Sequence, residues 1–180
     1  MKFCAHCGNP VERIIPAGDN RLRHVCPACG SIHYENPRMV VGTLPVWGEQ
    51  VMLCRRAIEP RHGYWTLPAG FMENGESAAE GAMRETLEEA CARVSLIAPY
   101  TMVSVPGIDQ LHLLFRAELL DLDFAPGSES LEVRLFDEAD IPWDALAFRS
   151  VALTLRTFFD ERRSGSFGVH HFSLDIPSRS

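Results

Sequence analysis

Glu85, Glu88 and Glu89 fall at i, i+3 and i+4 within Gly70 to Ala92, a stretch rich in acid. Residues at those offsets share one face of an α-helix, so the spacing predicts three carboxylates converging on one patch. Like charges so placed repel by about 0.2–0.5 kcal/mol per pair on an isolated helix. A hard divalent cation would turn that repulsion into binding, because Mg²⁺ and Mn²⁺ take oxygen ligands from a few carboxylates together with substrate phosphates. The competing reading is a solvated acidic face with no chemistry.

The neighbouring sequence supplies elements to hold that patch. Ser77 is the expected N-cap, and Glu80, three residues on, completes a capping box. Leu67 to Gly70 reads as a strand ending in a bend, with Gly70 and Gly75 permitting a tight loop. Arg84 follows Glu76 by eight residues, about two helical turns, so an ion pair should pin the loop to the helix. Upstream, Met39 to Trp47 and Gln50 to Ala57 read as strands joined by a turn at Gly48, Glu49 and Gln50. Val51 and Leu53 alternate with Met52 and Cys54, as in a strand covered on both faces. Arg55 and Arg56 end that strand and are candidate contacts for a substrate phosphate, or an ordinary solvated pair. Trp65 reads as a packing residue. Further on, Arg93 to Ser104, Leu111 to Leu120 and Leu131 to Phe136 read as strands, the last preceded by a loop through Pro126 and Gly127. Pro142 starts a helical turn, and a helix from Arg149 to about Arg163 carries an apolar stripe of Val151, Leu155, Phe158 and Phe159.

The pattern G-x5-E-x7-R-E-x-x-E-E, at Gly70, Glu76, Arg84, Glu85, Glu88 and Glu89, resembles the Nudix box of the Nudix hydrolase superfamily. Two departures stand out. The aliphatic residue usual after the Arg-Glu pair is Thr86, and the glycine and aliphatic residue usual at the end are Cys91 and Ala92. The resemblance implies an α+β fold, an α/β/α sandwich with a mixed sheet between helices. It implies a catalytic Mg²⁺ or Mn²⁺ held by Glu85, Glu88, Glu89 and the Gly70 carbonyl, with Glu76 and Arg84 supporting the box. Several members add a late glutamate as metal ligand or general base, and here Glu129, on a loop, and Glu132, on a strand, are both candidates.

Four of the six cysteines form two C-x-x-C pairs, Cys4 with Cys7 and Cys26 with Cys29, eighteen residues apart. That spacing reads as a structural Zn²⁺ site of four thiolates, each pair followed by a glycine that lets the backbone turn. Two disulfides, or a redox pair, are the alternatives. Val11 to Ile15 and Arg21 to Val25 form an expected hairpin between the pairs, and His6, His24 and His33 are expected at the surface or just outside the metal ligands. Cys54 and Cys91 read as small buried apolar residues.

At 180 residues the chain has room for one core and a small accessory module. The expected division is a zinc ribbon over 1–34, a Nudix domain over 35–165 and a tail over 166–180, loose apart from Val169 to Phe172. A net charge of −7 argues against nucleic acid as a general partner, though not against a nucleotide-sized anion met by a bound cation. No apolar run approaches the ~18 residues of a membrane span, and the start lacks a signal-peptide pattern, so a cytoplasmic chain is expected. A homodimer is one role open to the ribbon.

Cleavage of a nucleoside diphosphate derivative to AMP and a phosphorylated product is the activity the resemblance implies. The ribbon, the run Ser130 to Phe136 and the nearby Ile141-Pro142-Trp143 resemble a branch that includes ADP-ribose and FAD pyrophosphatases. NADH pyrophosphatases are ranked second, because their Ser-Gln-Pro-Trp run is replaced by Ser104 to Gln110, while Pro106 falls about where ADP-ribose hydrolases carry a proline. A non-catalytic module that senses a nucleotide is the alternative from another class.

Overall fold

The computed structural model describes residues 1–174; the end of the expected tail, 175–180, lies outside the described residues. The chain divides into two compact units, Met1–Asn36 and Pro37 onward.

In the first unit, β1 (Glu12–Ile14) pairs antiparallel with β2 (Arg23–Val25), the expected hairpin trimmed at both ends. A third strand, β3 (Ile32–His33), pairs with β2. At two residues β3 is too short to leave a periodic signal.

The second unit is built on an eight-stranded mixed sheet. Its strands are β4 (Arg38–Trp47), β5 (Gln50–Arg56), β6 (Trp65–Thr66), β7 (Ala69–Phe71), β8 (Val94–Val105), β9 (Gln110–Leu119), β10 (Ser130–Phe136) and β11 (His170–Ser173). The order is β10-β5-β4-β9-β8-β11, with β6 on β5 and β7 on β4. β4 with β9 and β8 with β11 run parallel. β11 covers most of Val169 to Phe172, the part of the tail set apart from the loose remainder, and gives it a place at the sheet edge.

Helices α1 (Ala78–Ala90) and α2 (Arg149–Ser164) cover the two faces. The alternation along β5 shows why both are needed. Val51 and Leu53 join Leu44, Leu114 and the α2 residues Val151, Leu155, Phe158 and Phe159 in one core. Met52 and Cys54 join Ala90 of α1 in another. Trp65 is buried in the α2 core, edge-on to Phe136 at 4.9 Å, the packing role its type suggested.

The departures from the family pattern in α1 have local explanations. Thr86 is buried, donates to the Ala82 carbonyl at 2.7 Å and meets the Thr43 hydroxyl of β4 at 2.6 Å. Its polar atom is therefore satisfied inside the core, with Thr43 as the donor to it. Thr86→Val should leave the Thr43 hydroxyl buried without a partner and cost about 1–3 kcal/mol in urea unfolding. Thr43→Val, which leaves Thr86 its carbonyl acceptor, should cost less, and the double variant should recover part of the loss.

Cys91 corrects an expectation. It is exposed rather than buried, and as C-cap it adopts φ 49°, ψ 24°, the left-handed conformation for which glycine is usual. Its N–H donates to the Leu87 carbonyl at 2.9 Å, closing the helix there. Cys54 is buried as expected.

Candidate active site and metal sites

The box loop and α1 are joined as the sequence predicted. Ser77 caps α1, accepting from the Glu80 N–H, while the Glu80 carboxylate accepts from the Ser77 N–H at 2.8 Å. Arg84 holds Glu76 in a bidentate pair, with Nε and Nη2 at 3.0 and 2.8 Å from the two carboxylate oxygens. Glu76 also accepts from the Glu73 N–H at 2.7 Å, and these bonds, Arg84 foremost, hold its carboxyl down at about 2. Arg84 Nη2 reaches the Phe71 carbonyl at 3.2 Å, so one guanidinium ties strand, loop and helix together.

The three box glutamates share the helix face but not one orientation. Glu85 and Glu88 both accept from Arg84 Nη1, at 2.8 and 3.0 Å. Glu89 turns inward, 6% exposed, and its Oε2 accepts from the Ala69 N–H of β7 at 3.2 Å. The expectation of three convergent carboxylates is corrected to this extent: among the described residues only the four cysteines bring three or more potential ligand atoms within 4.8 Å of one another. Helical spacing fixes where a Cβ points; the pull of Arg84 and the backbone donor at Ala69 decide where each carboxylate ends.

Burial pushes the Glu89 carboxyl up to about 8, helped by the charges of Glu85 and Glu129 and opposed by the Ala69 N–H and Arg56. Glu85 is also raised, by burial first, with Arg84 opposing. Gly70 lies against Glu85: a Cβ there would fall 2.3 Å from Glu85 Oε2, so a side chain at this position would push the Glu85 carboxylate aside. A hard divalent cation fits these donors. All are oxygens, and two of the carboxyls sit where burial disfavours their charge and a cation would restore it.

The late glutamates separate. The charge of Glu129 acts on both Glu85 and Glu89. Glu132 lies along β10 beside Arg55 and Arg134, at 3.8 and 3.7 Å. The two arginines separate as well. Arg55 is exposed, with Nε on the Gly63 carbonyl at 3.0 Å. Arg56 is buried, bonded to the Pro60 carbonyl at 2.8 Å and stacked over Phe148, and its charge favours the ionised form of Glu89. Sequence reasoning missed Ala69, whose contribution is a backbone N–H with no side-chain signature, and Gly127, which it took only for a turn.

In the first unit all four cysteines of the C-x-x-C pairs are free thiols, with Sγ of Cys4 and Cys29 3.7 Å apart and Cys7 and Cys26 3.5 Å apart. Four thiolates around a tetrahedral zinc with Zn–S of about 2.3 Å stand about 3.8 Å apart, so the donor set fits that ion. Gly8 and Gly30, both at φ 73°, turn the chain after each pair. His33 Nε2 lies 3.3 Å from Cys4 Sγ, the expected place just outside the ligands.

Residues 36–155 match the NUDIX domain family, and residues 2–35 match the Nudix N-terminal zinc-ribbon family. A NUDIX hydrolase from Nitrosomonas europaea of known crystal structure is 52% identical with a TM-score of 0.95, over 98% of this chain and 100% of that one. The NAD-capped RNA hydrolase NudC of Pseudomonas aeruginosa is 31% identical over 92% of this chain and 58% of its own length. The human mitochondrial NAD(P)H pyrophosphatase NUDT13 is 27% identical over 92% of this chain and 45% of its own. The chain thus spans about half the length of these two relatives. No helix among the described residues is long and apolar enough to cross a membrane.

Proposed function

The chain belongs to the Nudix hydrolase family, and on that premise we propose that it hydrolyses the pyrophosphate bond of a nicotinamide dinucleotide, giving AMP and the nicotinamide mononucleotide. The observation that carries the reading is Glu89, a buried carboxylate bonded to the Ala69 N–H and acted on by the charge of Glu85. A buried acid with no lysine or arginine bonded to it is costly unless function calls for it.

Glu85, Glu88, Glu89 and the Gly70 carbonyl are the groups to hold a Mg²⁺ or Mn²⁺. When bound, such a cation would neutralise the pyrophosphate oxygens and make a bound water more acidic. Arg84 keeps the loop on the helix. Glu129, whose charge reaches Glu85 and Glu89, is assigned to receive the proton of the attacking water. Glu132, drawn towards Arg55 and Arg134, is left to balance charge on β10. Arg55 remains the candidate phosphate contact, whereas Arg56 supports Glu89 from within the core. The four cysteines would hold a structural Zn²⁺.

The sequence reading ranked ADP-ribose or FAD first and NADH second. The relatives favour the reverse order, because those named for a dinucleotide act on NAD-capped RNA or on NAD(P)H. A likeness to NudC also favours NAD-capped RNA as a second reading, against which the net charge of −7 weighs. With Mg²⁺ or Mn²⁺, release of AMP should be fastest from NADH or NAD, slower from ADP-ribose and FAD, and slower again from NAD-capped RNA. A protein that cleaves none of them is a nucleotide-binding module. One that prefers ADP-ribose or FAD restores the first ranking.

A further inference from the structure

The loop from Leu120 to Glu129 is fastened to its surroundings through the backbone. The Ala125 N–H donates to the Ala90 carbonyl and the Gly127 N–H to the Glu89 carbonyl, each at 3.0 Å. The Glu129 carbonyl accepts from the Ala57 N–H at 2.8 Å, just past the end of β5. Ala90 and Glu89 lie in the last turn of α1, whose carbonyls have no partner within the helix, so the loop completes the helix end. At Gly127 the contact is backbone against backbone. A Cβ there would fall 1.7 Å from the Glu88 carbonyl oxygen and 3.2 Å from the Glu89 carbonyl carbon. Rigid helix backbone cannot yield as a side chain would, so any side chain must lift the loop.

The consequence falls on Glu129, two residues further along. From this geometry we propose that Gly127 is a positioning residue for hydrolysis: having no side chain, it lets the loop close on α1 and sets the Glu129 carboxylate against the box glutamates. The proposal rests on the reading of the active site given above. The backbone that carries Glu129 is thus fastened on both sides, to α1 before it and to Ala57 at its own carbonyl.

Gly127→Ala, Glu129→Gln and the double variant test it. Misplacing a catalytic group by about 1 Å can cost roughly 10²-fold. Gly127→Ala should therefore lower kcat for NADH by about 10- to 100-fold while KM changes less than about threefold, and Glu129→Gln should do the same. The double variant should be no slower than the slower single variant, because both lose one acid in one place. Mn²⁺ binding by calorimetry reads the same placement without turnover: each single variant should weaken it by a similar factor and the double no further. Faster amide exchange at Ala125 and Gly127 should accompany Gly127→Ala. Should that variant not fold, Ala125→Pro removes one fastening without adding an atom at Gly127 and should show the same pattern. Unchanged kcat and Mn²⁺ affinity in Gly127→Ala, or losses that multiply in the double variant, overturn the proposal. A wild-type protein that cleaves no dinucleotide overturns the functional reading instead, and Mn²⁺ binding then decides the role of Gly127.

Discussion

Glu89→Gln is expected to lower NADH hydrolysis by about 10²- to 10³-fold, the rate equivalent of the several kcal/mol a metal-held charge contributes to such a transition state. The same change should leave the fold intact or firmer. Glu89 is buried, and its carboxyl is pushed up to about 8, chiefly by that burial. Its unfolded value is about 4.3. A folded value above the unfolded one means that the group favours folding below about pH 4 and that this contribution is lost as the pH climbs to about 8. Before any divalent cation is added, the wild type should therefore lose stability between pH 5 and pH 9 relative to Glu89→Gln. Thermal unfolding across that range checks it. A variant that is both inactive and less stable at pH 8 would mean that Glu89 serves the fold rather than the chemistry.

Cys26→Ser should have the largest effect on structure. The Met1–Asn36 unit has three strands of two or three residues, and most of its large apolar side chains, including Phe3, Ile15, Leu22 and Tyr34, are exposed. So little apolar burial cannot offset the chain entropy of ordering the unit. Structural zinc contributes roughly 10–16 kcal/mol in comparable peptides at neutral pH. Metal analysis should find about one zinc per wild-type chain and almost none in Cys26→Ser, with amide protection lost over residues 1–36 and retained in the strands from β4 onward. Protection that survives in a metal-free protein would remove the zinc from the account.

What could be read from the sequence was what is local. The Ser77 cap, the Glu80 reply and the Glu76–Arg84 pair lie within eight residues of one another, and the structure has all three. The alternation along β5 likewise announced a strand with a core on either side. Features that depend on distant partners were not legible. Val169 to Phe172 stood out from the tail, but that it forms a strand depends on the parallel edge that β8 offers β11. Thr86 is acceptable in the core because Thr43, on another element, meets its hydroxyl. Cys91 looked like a small core residue by type, yet its place at the end of α1 turns it outward. The different settings of Glu129 and Glu132 were invisible for the same reason, since the loop before Glu129 is bonded to the end of α1 while Glu132 lies beside Arg55.

The central claim is that Glu85, Glu88 and Glu89, with the Gly70 carbonyl, bind a divalent cation where a pyrophosphate is cleaved. Crystals soaked with Mn²⁺ and a non-hydrolysable NAD analogue test it directly by anomalous diffraction. The account predicts Mn²⁺ bound by those glutamates with the pyrophosphate oxygens completing its coordination. A cation bound elsewhere, with Glu85 and Glu88 still paired to Arg84 and Glu89 still turned to Ala69 while the analogue is bound, would contradict it.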